Sequence, residues 1–176
     1  MNLYQLFKAS FMEPKKRAAA RILPIGRLMK FVFLFIALLS LLSFAEFRLG
    51  IGSSSSELEG LLQFIEEIEW LLYPFAFIFL FVSTTLYHFI KISVFAAFGY
   101  GFLALLKRRG EYRHMWRTAA LAVTVPTIAA YIASFWGTSL WISLLTSLWT
   151  LFLLYSAARF YPKAPPAKKR GNIAPL

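Results

Sequence analysis

No cysteine and no aspartate occur among the 176 residues. Disulfides, thiol nucleophiles and cysteine metal sites are therefore excluded, and cysteine usage says nothing about redox compartment. Histidine is nearly as scarce. His88 and His114 are the only two, they lie far apart in the chain, and no aspartate exists to orient either. A histidine-based triad or a metal centre within one chain is not expected. The chain also lacks a G-x-x-x-x-G-K-[ST] loop, an H-E-x-x-H helix and a G-x-S-x-G elbow. It reads as a non-enzyme that needs no cofactor and no metal. Acid is in short supply as well. All eight acidic residues are glutamates, against 19 lysines and arginines, for a formal net charge of +11.

What is present in excess is apolar surface. Hydrophobic residues make up 59% of the chain and aromatics 18%, and mean hydropathy is +0.63, beyond what a water-soluble domain tolerates. An integral membrane protein follows, and the length leaves no room for a separate soluble domain once each crossing takes roughly 20 apolar residues. The expected fold is all-α, with four transmembrane helices plus N-terminal and extracytoplasmic amphipathic helices.

The distribution of charge assigns the sides. Residues 1–27 form a basic leader with Lys8, Lys15, Lys16, Arg17, Arg21 and Arg27, opposed by Glu13 alone, and should stay cytoplasmic. Within it, "MNLYQLFKASFM" places Leu3, Phe7 and Phe11 on one face of a helix that should lie on the inner membrane surface. The first crossing covers about 28–47, with Lys30 snorkelling. It is not a cleavable signal peptide, since no small-residue cleavage site follows its apolar run. Beyond Gly50 the sign inverts: "GSSSSELEGLLQFIEEIEW" carries Glu57, Glu59, Glu66, Glu67 and Glu69 and no base. Ser56 and Glu59 have capping-box spacing, so a short amphipathic helix is expected along the outer surface before Trp70 and Tyr73 mark re-entry.

Residues 71–106 are too long for one upright crossing and short for two. Two crossings would put Lys107, Arg108, Arg109, Arg113 and Arg117 outside; one keeps them inside, where they can also contact anionic lipid headgroups. One long, tilted helix is therefore expected, with Pro74 in its first turn and Gly99 and Gly101 as candidate bends. Counted from Trp70, Lys91 falls near the inner edge of the hydrocarbon. Thr84, His88 and Lys91 share a helix face. An intramembrane proton or anion site is one reading of that stripe; a histidine hydrogen-bonded between helices beside a snorkelling lysine is the other.

Crossings at about 118–136 and 140–161 complete the transmembrane domain of residues 28–161, joined by a turn at Gly137. Pro126 should kink the third helix, with Thr124 and Thr127 satisfying freed carbonyls. The tail, 162–176, is basic and Pro-rich. Both termini then lie in the cytoplasm. Because the bases border membrane segments and form no face interleaved with aromatics, nucleic acid is not an expected partner; membrane lipids and another membrane protein are.

The leader "FKASFMEPKKRAAARILPIGRLMKFVFLF" and the block "FGYGFLALLKRRGEYRHMWRTAALAVTVPT" together resemble the domain-of-unknown-function 1189 family, membrane proteins of Gram-positive bacteria sometimes labelled maltodextrin-utilisation proteins and similar to the Yip-type membrane fold. The resemblance implies a bacterial cytoplasmic membrane and a Yip-type helical bundle, and carries no established activity. Family members usually hold a sizeable extracytoplasmic domain between the first two crossings; only about 20 residues stand there in this chain, so any function of that domain does not transfer. Two functional readings follow. One is a non-catalytic accessory or adaptor subunit packed against a larger membrane complex; the alternative is a small transporter or lipid-handling protein with its polar site at Thr84, His88 and Lys91.

Overall fold

A computed structural model describes residues 3–12, 14–54, 59–135, 137 and 140–163. Helices α1 (Leu3–Met12), α2 (Pro14–Ala19), α3 (Ile25–Ser54), α4 (Glu59–Leu105), α5 (Tyr112–Ser134) and α6 (Leu140–Ala158) follow in order, with a 3₁₀ turn at Ala20–Ile22 between α2 and α3. Four of them, α3 to α6, are long and apolar enough to cross a membrane, and among the described residues there is no β-strand.

The helix ends follow local chemistry. Leu23 is extended, as a residue preceding proline must be, and the Pro24 carbonyl then accepts from Arg27 N to open α3. At the other end of the hairpin, α4 closes in a Schellman motif. Lys107 takes the left-handed conformation at φ 51°, and Arg108 N reaches back to Leu103 O at 2.8 Å while Lys107 N bonds Ala104 O. Gly137, at φ 127°, occupies a backbone region closed to side chains and turns the chain between α5 and α6.

Helix α5 is the centre of the bundle. Every residue from 118 to 127 is buried, although α5 is the least apolar of the four long helices. That inversion is a bilayer effect: lipid solvates leucine and phenylalanine as well as a protein core does, so close packing favours the small residues Ala119, Ala120 and Ala122 beside buried Leu121 and Val123, while many bulky apolar side chains on the other helices face outward. Ala96 and Gly99 of α4 face the same core; a Cβ on Gly99 would stand 2.7 Å from Met115 Sδ.

Several expectations need correction. The separate outer surface helix does not exist as such: its C-terminal part is continuous with the crossing in the 47-residue α4, while the Ser56 cap lies outside the described residues. Pro74 consequently sits well inside a helix and not in its first turn. Helix α4 runs unbroken through Gly99 and Gly101. The basic segment at 107–117 is shorter as a loop than expected, because α5 starts at Tyr112 and takes Arg113, His114 and Arg117 into its first two turns. Helix α1 docks through buried Leu6 and Ser10, leaving Phe7 and Phe11 exposed with ring centroids 5.1 Å apart.

A polar cavity inside the helix bundle

The predicted stripe on α4 opens onto a cavity of about 470 Å³ between α3, α4 and α5. Thr84, His88 and Lys91 all line it, joined from α5 by Thr127, Tyr131 and Ser134 and from α3 by Ser43. Lys91 Nζ donates to Thr127 Oγ1 at 3.1 Å and lies 5.7 Å from the Tyr87 ring centroid. No carboxylate lines this cavity among the described residues. At its edge Glu46 is hydrogen-bonded to Tyr131.

The register of α4 on α5 sets Lys91 level with Thr127, near the middle of α5. Thr127 stands about 15 Å along α5 from Arg117 and about 10 Å from the helix end at Ser134, taking 1.5 Å per residue. Trp70 is a misleading marker, because α4 outruns α5: with Lys91 opposite Thr127, roughly 25 residues of α4, about 37 Å, extend past the level of Ser134. Helix α3 accompanies it, with Phe44 against Tyr73 and Phe77 and Arg48 over the Tyr73 ring at 4.8 Å.

His88 is 2% exposed, packed edge-on against Phe35 at 5.4 Å, and neither ring nitrogen has a hydrogen-bond partner among the described residues. It is not the interhelical hydrogen-bonded histidine that the second reading of the stripe required. An unpartnered polar group at such a position costs about 1–3 kcal/mol.

Thr124 and Thr127 do not mend the ladder at Pro126. Thr124 donates to Ala120 O at 3.0 Å, whereas the carbonyl deprived of its N–H partner belongs to Ala122. Thr127 serves Lys91 instead. Tyr131 and Ser134 escaped sequence reasoning, although they follow Thr127 at helical spacing and so were legible as one polar face of α5.

The five basic residues expected at lipid headgroups divide in two. Lys107, Arg109 and Arg113 are exposed, and Arg113 pairs with Glu111. Arg108 and Arg117 are fasteners instead: Arg108 donates to Tyr161 O at 2.9 Å, and Arg117 donates from one nitrogen to Arg21 O at 3.0 Å and Leu23 O at 2.9 Å, clamping the leader beneath α5. Arg17 is also removed from the surface. It is 4% exposed, with Nε and one terminal nitrogen unpartnered among the described residues, and burial holds its guanidinium below the ordinary arginine range.

Four helices long and apolar enough to cross a bilayer, three of them lining a polar groove, define a multi-pass helical membrane protein. The chain belongs to the family described as Protein of unknown function (DUF1189), which matches residues 46–158. The matched span contains the second of the two resembling blocks and leaves the leader outside it. Comparison with curated proteins finds no match, and comparison with solved structures finds none.

Proposed function

We propose that this protein handles anionic amphiphiles, taking the acidic head of a lipid or fatty acid from the bilayer into the cavity lined by Lys91, Thr127 and Tyr131. One observation carries the reading: an ammonium group deep between helix ends that, among the described residues, donates to a neutral hydroxyl and meets no carboxylate. A cation in such a place is costly unless an anion joins it, and intramembrane ionisable groups that face a cavity mark ligand paths. In this reading the site is non-catalytic, the membrane is the bacterial cytoplasmic membrane that the family resemblance implies, and both termini face the cytoplasm. The Yip-type arrangement and any link to maltodextrin use remain part of the proposal.

Thermal unfolding in neutral detergent tests it directly. A long-chain fatty acid should stabilise the wild-type protein more than the corresponding fatty alcohol does, and Lys91→Met should abolish that difference. Equal stabilisation by acid and alcohol sinks the reading.

A second reading, the accessory subunit, draws on the outer extension of α4, where Trp70, Leu71, Phe75, Ile78 and Phe79 form an exposed apolar face beyond the end of α5. Co-purification of one membrane protein at fixed stoichiometry, lost on Phe75→Ser with Phe79→Ser and retained in Lys91→Met, would support this reading over the first.

A further inference from the structure

A second cavity, of about 780 Å³, lies at the other end of α5 and shares no lining residue with the first. Arg21 from the turn after α2, Arg109 from the α4–α5 connection and Arg117 from α5 bring three guanidinium groups to its walls, with His114 and Tyr161 beside them. Among the described residues one carboxylate lines it, Glu111, and Arg113 engages it.

The arginines are held in place with donor capacity to spare. Arg21 stacks over the Tyr161 ring at 5.2 Å, and one of its terminal nitrogens is buried without a hydrogen-bond partner among the described residues. Arg117 spends one terminal nitrogen on the leader carbonyls, and its Nε is buried and equally unpartnered. Arg109 uses only its backbone N–H, on Pro162 O at 2.8 Å, among the hydrogen bonds that fix this turn. The first turn of the 23-residue α5 also opens here, with no side-chain cap on its free N–H groups. Three guanidinium groups and a helix N-terminus around one space answer to a tetrahedral oxyanion.

We propose that this cavity is a phosphate-binding site, taking either a phospholipid headgroup or the phosphate of a small soluble molecule. It differs from diffuse headgroup attraction in that Arg21 and Arg117 are shaped and oriented by the fold. It does not depend on the Lys91 cavity, so either proposal can fail while the other stands.

The test uses the full-length protein in neutral detergent and follows its thermal midpoint against three probes at constant ionic strength: inorganic phosphate, phosphatidylglycerol and phosphatidylcholine. Saturable stabilisation by phosphatidylglycerol alone identifies a headgroup site; stabilisation by inorganic phosphate as well identifies a site for the free group. Arg21→Gln and Arg109→Gln should each weaken the apparent affinity about tenfold, the effect of losing one charge-assisted hydrogen bond. Arg159→Gln, an exposed charge outside this cavity, should bind as the wild type does. No stabilisation of the wild-type protein by either phosphate probe over phosphatidylcholine overturns the proposal, as does an Arg159→Gln loss equal to that of Arg109→Gln. Should Arg21→Gln not fold, Arg21→Lys replaces it; a Lys point charge lacks the fork, so weakened binding supports the site and unchanged binding contradicts it.

Discussion

Lys91 and His88 lie one helical turn apart, yet only Lys91 has a hydrogen-bond partner among the described residues. His88 contributes two buried nitrogens without partners and an edge contact to Phe35 that a leucine can replace. His88→Leu should therefore raise the thermal midpoint by the equivalent of about 1–3 kcal/mol. A fall in the midpoint would mean that the imidazole is satisfied in the working protein. Tyr161 presents the reverse case. Its hydroxyl lies 3.1 Å from His114 O and 2.7 Å from Thr118 Oγ1, which itself reaches His114 O at 3.3 Å, so two hydroxyl protons serve three contacts around one carbonyl. Burial pushes this phenol above the usual tyrosine range, opposed by the Thr118 hydrogen bond and the Arg21 charge. Because the folded value lies above the unfolded value of about 10, the phenol's contribution is complete below pH 10 and fades as pH rises through the folded value. Tyr161→Phe should cost about 1–2 kcal/mol near neutral pH and should flatten the alkaline decline. Unfolding in detergent from neutral to alkaline pH measures both.

Among elements, the junction between α4, α5 and the segment after α6 is the least forgiving. At Gly110 a Cβ would meet Leu103 Cδ1 at 2.7 Å and the Tyr161 ring at 3.0 Å, and a tyrosine ring has little room to give. Gly110→Ala should therefore destabilise by about 1–3 kcal/mol. In Gly101, by contrast, a Cβ meets nothing within 4 Å, so Gly101→Ala should stabilise α4 by about 0.5–1 kcal/mol. Comparing the two thermal midpoints checks both. The sequence carries the four long helices clearly, because apolar length is a one-dimensional signal. It does not carry which face of each helix is inside, since hydropathy cannot separate a leucine touching lipid from one touching protein; the alanines of α5 were the better guide. Nor could it bring Thr127 to Lys91, or Arg21 to Arg117 and Tyr161, because those meetings depend on the register of helices distant in the chain. His88 is legible as part of the α4 stripe, but its partnerless burial depends on what α3 places beside it.

At the scale of the whole molecule, basic residues concentrate at one end, although Arg48 lies beside Tyr73 at the other. Arg21, Arg108, Arg109, Arg113 and Arg117 gather where α4 ends and α5 begins, while Glu67 and Glu69 lie on the opposite extension of α4. Helix α4 is continuous between these ends, and from Glu69 to Leu105 it measures about 54 Å at 1.5 Å per residue. A hydrocarbon layer of about 30 Å cannot contain that length, and the positive-inside rule then predicts that the two ends emerge on opposite faces with the arginine-rich one in the cytoplasm. The absence of native cysteine makes this measurable without background. Arg113→Cys and Glu69→Cys replace exposed side chains that secure no interhelical contact. In intact cells a membrane-impermeant maleimide should label Glu69→Cys and spare Arg113→Cys, and inverted vesicles should exchange the pattern. Labelling of both from the same side would require α4 to fold back within the membrane, which an unbroken helix cannot do. Labelling of Arg113→Cys alone in intact cells would invert the topology and place the proposed phosphate cavity outside the cell.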